Sequence, residues 1–284
     1  MAVELKRSRK KWWARTYSGD IVRFPDGEVV CDDALKFLGS LRKESADIVF
    51  IDPPFNLGKS YGQNGAVSDN KSETEYLEYM TEVISCATTV LRPGGAMYLY
   101  HIPKWAIRLS NVLEKHLDFK HWIAISMKNG FARGQSLYPA HYALLFYTKG
   151  RPSSFFRPKI PKPICARCGK DLRDYGGYKK FVEKGINLSD IWDDISPVRH
   201  KQFKFRRNNE LPLKLVSRIL DISGTRRGLV VDPFSGTGSM LVASRKAGMQ
   251  FVACEIEQEY VRKIEQRLEL EVEEHKTQQE ENAS

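Results

Sequence analysis

Apolar and polar residues switch between a helical period and a strand period along most of this chain. The segment "DALKFLGSL", from Asp33, carries apolar residues at helical spacing, and "ADIVFI", from Ala46, is a short β-branched run that fits a buried strand. "TEYLEYMTEVISCATTVL" reads as an amphipathic helix, "GGAMYLYH" as a strand entered through Gly94 and Gly95, "WAIRLSNVLEKHL" as a helix, and "HWIAISM" and "HYALLFYTK" as strands. From Gly150 to around Asp194 the pattern gives way to Pro-rich, Gly-rich and basic sequence. It resumes with "ELPLKLVSRILDIS", a helix, and "GLVVDPFSGTGSMLVASRKAGMQFVACEIEQEY", which is strand, glycine loop, helix, strand. Beyond Val261 a charged helix fades into an acidic, polar tail. No internal repeat is evident. Strand, helix and strand in succession predict an α/β fold with a mostly parallel sheet and helices on both faces.

These breaks divide the chain. Residues 1–28 form a basic, irregular arm, with Trp12 and Trp13 suited to docking part of it, and 29–150 a first α/β half. Residues 151–205 form an inserted recognition region, 206–270 a second α/β half, and 271–284 an acidic tail. With 284 residues, 42% of them hydrophobic and 28% charged, the chain can bury a full core. No apolar run approaches the roughly 20 residues of a membrane span, and no apolar core follows the basic N-terminus, so the expectation is a cytoplasmic protein. Five cysteines, an odd number, argue for reduced thiols over a disulfide framework.

Charge changes the picture because it is concentrated. The net charge is +10, from 45 Lys and Arg against 35 Asp and Glu. Residues 151–227 alone hold 19 basic against 8 acidic side chains, a net of +11, so the rest of the chain roughly cancels. Aromatic residues are interleaved there ("SSFFRPK", "RDYGGYKKF", "RHKQFKFRR"), which suits a surface that tracks phosphates and touches bases. Lys201, Lys204, Arg206 and Arg207 are the candidate phosphate contacts. The plainer reading is a solvated basic face.

Two strand ends carry candidate chemistry. In "LVVDPFSGTGS" a buried strand ends at Asp232, and Gly236 and Gly238 let the backbone turn tightly against a ligand before the next helix. One helix later "FVAC" ends at Glu255, where an acid accepts hydrogen bonds from ribose hydroxyls in nucleotide-binding half-folds. No lysine of the phosphate-cradling kind follows the loop. A ligand with ribose and adenine but no pyrophosphate fits better, which points to S-adenosylmethionine. The other strand end is "ADIVFIDPPF". Its two prolines stiffen the turn and fix Asp52 beside the exposed Pro53 carbonyl. An exocyclic amine is a poor nucleophile because its lone pair is delocalised into the base. Two acceptors on its hydrogens, a carboxylate and a carbonyl, free that lone pair, and Phe55 would stack on a base withdrawn from the duplex. The competing reading makes Asp52 a helix cap.

In these residues the chain resembles the amino-group DNA methyltransferases of the permuted β class. There a D-P-P-[YF] motif precedes an F-x-G-x-G motif, as Asp52, Pro53, Pro54 and Phe55 precede Phe234, Ser235, Gly236, Thr237 and Gly238 here. "DAL", "DPPFNLG", "LRPGG", "ELPLKL", "DPFSGTGS" and "CEI" all have counterparts, so the resemblance covers most of Cys31 to Tyr260. It implies a circularly permuted Rossmann-like fold, S-adenosylmethionine as cofactor and double-stranded DNA as partner. Asp33 would lie near the cofactor's adenine, Glu255 on its ribose, and the loop from Asp232 to Gly238 around its methionine portion. Asp at the first motif position is usual for adenine-directed members, whereas cytosine-directed ones more often begin with Ser. A homodimer and a cognate restriction endonuclease are compatible partners; a cytosine-N4 DNA methyltransferase or an RNA methyltransferase with the same chemistry, and a catalytically silent nucleic-acid-binding protein, are the rival readings.

Many relatives carry a Lys-Pro pair before the cofactor strand, whereas this chain has "NNELPLKL" with Leu211 at the lysine's place. Asn208, Asn209 or a backbone amide are the candidates to hold the methionine carboxylate. "CARCGK" resembles a zinc knuckle, but a closed structural site needs four ligands and the chain has no second knuckle. Cys165 and Cys168 are therefore expected to be a plain reduced pair, with zinc, completed by His200 or a partner chain, as the lesser alternative. His141 is expected to be a strand histidine, not a base.

Overall fold

The computed structural model describes residues 12–14, 17, 19–57, 60–61, 67–68, 70–126, 135, 137, 139–165, 167–173, 176, 180, 182–195 and 210–281. A hairpin of β1 (Ile21–Phe24) and β2 (Gly27–Cys31) leads into α1 (Ala34–Ser40) and β3 (Ala46–Ile51). After the two-residue strands β4 (Ser60–Tyr61) and β5 (Val67–Ser68) come α2 (Glu73–Val90), β6 (Leu91–His101), α3 (Pro103–Leu113), β7 (Asp118–Ser126) and β8 (His141–Thr148). The second part holds β9 (Lys159–Ile160), β10 (Ile186–Asn187), β11 (Ile191–Trp192), α4 (Leu213–Ser223), β12 (Leu229–Asp232), α5 (Ser239–Lys246), β13 (Gln250–Glu255) and α6 (Gln258–Glu281).

Nine strands form one sheet in the order β1-β2-β13-β12-β3-β6-β8-β7-β11. From β2 to β6 all neighbours are parallel, while β8 runs antiparallel to both β6 and β7. The late strands β12 and β13 thus sit between the early strands β2 and β3. Side chains along β3 alternate between the two faces, as a pleated strand requires. Val49 and Ile51 join the core under α1, α2 and α3, with Phe37, Met80, Ile84 and Trp105, and Ile48 and Phe50 join the core under α4, α5 and α6, with Val216, Ile219, Leu241 and Ile264. Each large side chain fully buried in these layers contributes about 1.5–3 kcal/mol. Asp47 ties the two halves together at the strand starts. One of its carboxylate oxygens accepts the Leu229 N–H at 2.7 Å, and the other accepts two bonds from Arg92, at 2.8 and 2.6 Å.

The structure differs from the sequence expectation at three places. The arm expected to be irregular through residue 28 instead contains β1 and the start of β2, and the Asp26 carboxylate at their turn pairs with Arg245 of α5 through two bonds of 2.7 Å. Trp13 does dock, with its indole N–H on Glu28 at 2.5 Å and its ring stacked on Tyr17. The segment expected as a separate recognition region is partly continuous with the main sheet, because β11 pairs with β7 and buries Trp192. Arg218 of α4 holds the Asp194 carboxylate through two bonds of 2.8 and 2.7 Å and lies over the Trp192 ring. Finally, α6 continues to Glu281, through most of the expected tail. No described helix is long and apolar enough to cross a membrane.

Candidate active site

Three acids end three neighbouring parallel strands on one edge of the sheet. Asp52 follows β3, Asp232 ends β12 and Glu255 ends β13, and in doubly wound sheets this carboxyl edge is where ligands bind. The turn after β3 and the loop after β12 open into one cleft, lined by Phe50, Asp52, Glu210, Asp232, Phe234 and Gly236 among others, which encloses about 320 Å³ of space continuous with solvent. Among its described lining residues none is basic, so the cleft suits a cationic ligand and not a polyphosphate.

The Asp232 loop is built from backbone. Gly236 and Gly238 have φ of +53° and +79°, which a β-carbon disfavours, and a β-carbon on Gly238 would meet Ile264 at 3.1 Å. The Ser235 N–H and Oγ–H both donate to the Cys254 carbonyl, at 3.0 and 2.9 Å, locking the loop to β13. Glu255 accepts the Gly236 N–H at 2.8 Å on one oxygen and the Glu257 N–H at 3.0 Å on the other. Asp232 is only 2% exposed and accepts the Phe234 N–H at 3.0 Å. Burial pushes its carboxyl well above the usual range, and the charges of Asp52 and Glu255 push the same way. Behind the loop, Arg267 of α6 donates to the Thr237 carbonyl at 3.1 Å and to Ser239 Oγ at 3.2 Å, and pairs with buried Glu210 at 3.5 Å.

The turn at Asp52 is held by side chains from other elements. The Ile102 N–H donates to His101 Nδ1 at 2.8 Å, which leaves the ring proton on Nε2. His101 Nε2 lies 2.8 Å from Tyr76 Oη and therefore donates to it, and the Tyr76 hydroxyl donates in turn to the Pro54 carbonyl at 2.6 Å. Burial drops the His101 pKa to about 3, so the imidazole is neutral and this direction of donation persists at physiological pH. The same imidazole stacks on Phe55, with ring centroids 4.8 Å apart. Tyr100 and Tyr142 complete the aromatic wall, 6.0 and 5.8 Å from Phe55. Burial, and then the Asp52 charge, raises both phenol pKa values, so both hydroxyls keep their protons.

The N6/N4 methyltransferase family model, described as DNA methylase, matches residues 46–266, which include both the Asp52 turn and the Asp232 loop. The chain belongs to this DNA methylase family. It is 41% identical to the Type II methyltransferase M.BamHI of Bacillus amyloliquefaciens over 232 residues, 81% of this chain and 54% of that enzyme, so it spans about half the length of that relative. It is 28% identical to the Type II methyltransferase M.HpaI of Haemophilus parainfluenzae, covering 87% of this chain and 75% of the relative. Among solved structures, the PvuII DNA methyltransferase (cytosine-N4-specific) shares the fold at a TM-score of 0.61 and 15% identity, over 83% of this chain and 84% of that one.

In this member of the family the structure brings together Asp52, Asp232, Phe234, Ser235, Gly236 and Thr237 around one cleft, with Glu255 bonded to Gly236 at its side. Gly238 caps α5, and Asp33 follows β2, the strand beside β13. Asp33 Oδ1 accepts the Leu35 and Lys36 N–H groups at 2.9 and 3.2 Å, so this acid caps α1, a role not anticipated from the sequence. Phe55, expected to stack on the flipped base, is 5% exposed and already has one face on His101. Asn208, Asn209, Lys201, Lys204, Arg206, Arg207 and His200 lie outside the described residues. His141 starts β8 opposite Ser126, in the strand position expected of it. Sequence reasoning missed Tyr76, His101, Tyr100, Tyr142, Glu210 and Arg267. A histidine closing the apolar run "AMYLYH" was the one local signal that a polar group is buried beside Asp52.

Proposed function

We propose that this chain transfers a methyl group from S-adenosylmethionine to the exocyclic amine of adenine at a specific site in double-stranded DNA. One observation carries the reading: Asp52 and the Asp232 loop, far apart in sequence, line the same acidic cleft. When bound there, S-adenosylmethionine supplies an electrophilic methyl on a cationic sulfonium. Glu255 would accept its ribose hydroxyls, Asp232 to Gly238 would surround its methionine portion, and Asp33 would lie toward its adenine. Asp52 and the Pro53 carbonyl accept the two hydrogens of the target amine and turn its lone pair toward the methyl. The freed lone pair would take the methyl as the sulfonium becomes a neutral thioether, and the amine proton would pass afterwards to Asp52 or to solvent, so no strong base is needed. Tyr142 would move aside to admit the flipped base, with Phe55 kept in place by His101 behind it.

The basic segment over 151–205 and the adjoining Arg206 and Arg207 would form the target-recognition surface, with Lys201 and Lys204 on phosphates. Adenine is supported by Asp at the first position of the motif. Cytosine N4 is the second reading, favoured by the aromatic rings crowded within about 6 Å of one another beside Asp52, which suit a smaller ring. Base-resolved modification mapping of DNA from cells expressing the full chain tests both. N6-methyladenine at one recurrent sequence supports the proposal, N4-methylcytosine moves it to the second reading, and unmodified DNA together with methylated RNA overturns it.

A further inference from the structure

The chain before β1 is sewn to the end of α1. The Ala14 N–H donates to the Ser40 carbonyl and the Arg42 N–H to the Trp12 carbonyl, both at 2.9 Å. Trp13 is buried there, edge-on to Phe37, and its indole stacks on the Tyr17 ring with centroids 4.7 Å apart. Gly19 makes room for that ring, since a β-carbon on it would stand 2.7 Å from a Tyr17 ring carbon. So placed, the Tyr17 hydroxyl donates to Asp32 Oδ2 at 2.5 Å. Burial, and then the bond to Asp32, push the phenol well above its ordinary range, so it stays the donor at physiological pH.

Asp32 joins the two acids placed above on the adenosine portion of the cofactor. Its N–H donates to the Glu255 carbonyl at 3.2 Å, and its Oδ1 accepts the Asp33 N–H at 2.8 Å. Its carbonyl accepts the Cys254 thiol at 3.0 Å, so the ends of β2 and β13 are pinned at this one residue. Lys36 stands 3.8 Å from Oδ1 with its side chain largely exposed, and adds little. The second carboxylate oxygen is thus fixed by Tyr17. The arm does not need this bond to stay docked, because Trp13 and two backbone bonds already hold it. The residue that gains from the bond is Asp32.

We infer that Tyr17 is a positioning residue for S-adenosylmethionine, on the placement of Asp33 and Glu255 proposed above: through Asp32 it holds those two acids at the spacing that adenine and ribose require. The arm then belongs to the cofactor site, although Tyr17 precedes Asp32 by 15 positions. Its effect falls on affinity for the adenosine portion and not on methyl transfer, because Asp52 and the Asp232 loop are held by other bonds.

Tyr17→Phe in the full chain keeps the ring against Trp13 and removes only the hydroxyl. The KM and the calorimetric dissociation constant for S-adenosylmethionine should rise about three- to tenfold, the range expected for one lost hydrogen bond. Turnover at saturating cofactor on the mapped DNA site, and the circular dichroism spectrum, should match wild type. S-adenosylhomocysteine, which carries the same adenosine portion, should lose affinity by the same factor. Tyr17→Phe combined with Asp32→Ala should bind cofactor no more weakly than Asp32→Ala alone, because the hydroxyl acts through that carboxylate. Wild-type cofactor affinity in Tyr17→Phe overturns the inference, as do additive losses in the double variant or a fall in turnover in place of affinity. Glu255→Ala measured alongside separates the premises. If it weakens cofactor binding and Tyr17→Phe does not, the role of Tyr17 alone falls; if neither does, the placement of the adenosine portion falls with it.

Discussion

Asp52 and Asp232 end neighbouring buried strands, β3 and β12, yet the chain holds them in place by different means. The Asp232 loop is fixed locally, by two glycines at positive φ and by bonds to the strand beside it. The Asp52 turn is fixed remotely, by Tyr76 from α2 and His101 from β6, which grip the Pro54 carbonyl and the Phe55 ring. A locally fixed loop keeps its shape unless its own residues change. A remotely fixed turn can be loosened by residues that never touch substrate, so binding and chemistry should be separable by mutation.

The sharpest separation is expected from Asp52→Asn. It keeps the shape but removes the charge that matters as the amine becomes a nucleophile, a loss that typically costs about two to three orders of magnitude in turnover. Cofactor and DNA affinity should stay near normal. A single-turnover methylation assay decides it, and a wild-type rate would leave Asp52 as a structural cap. Next in size, Glu255→Ala should raise the cofactor dissociation constant about tenfold or more, since a charged acceptor contributes about 1.5–3 kcal/mol. Calorimetry on the folded variant measures this; unchanged affinity would remove Glu255 from the cofactor site.

Tyr76→Phe removes the hydroxyl that holds the Pro54 carbonyl. With a net bond strength of about 0.5–1.5 kcal/mol, turnover at saturating cofactor should fall roughly three- to tenfold with cofactor affinity unchanged. If cofactor affinity falls as far as in Glu255→Ala, the two regions act as one unit and the comparison fails. A separate effect, on stability and not on turnover, concerns pH. His101 is neutral in the fold, with its pKa lowered from 6.5 to about 3, so the unfolded chain binds the proton more readily between those values. Stability should therefore decline as pH falls below 6.5 and stop declining on this account near 3. Asp232, pushed well above its ordinary 3.8, binds its proton more readily in the fold and offsets part of this loss. Glu73 and Asp194, held low by their basic partners, add to it only around and below their ordinary 4.5 and 3.8, so the His101 share is read from the difference between wild type and variant. Urea midpoints measured across the window should flatten there in His101→Gln; an unchanged slope would mean another group dominates.

The same contrast explains what could be read from the sequence. An apolar run stopped by an acid, as in "IVFID" and "LVVD", is a local pattern, and so is a loop whose glycines must take positive φ. Those signals located Asp52, Asp232, Glu255 and the strands that carry them. The grip on the turn has no local signature, because Tyr76 lies 22 residues from Pro54 and 25 from His101 and meets them only once α2 packs on the sheet. Composition also masked structure at both ends. "IVRF" and "GEVVC" are ordinary strand text next to a long basic stretch, and the Glu-rich, Gln-rich end of α6 has good helix propensity despite its polarity.

Asp47 and Leu229 are bonded across neighbouring strands but stand 182 positions apart. A ribosome adding roughly 5–20 residues per second therefore delivers the partner about 10–35 seconds after Asp47 itself. Throughout that interval β2 and β3 have emerged without the two strands that belong between them, and each offers an unpaired edge to any neighbouring chain. The nascent protein carries its gap in the middle of the sheet, where no end strand can shield it. Production of this fold is thus exposed to errors of timing, and slower elongation or crowding of nascent chains should show up as aggregation before it shows up as lost activity.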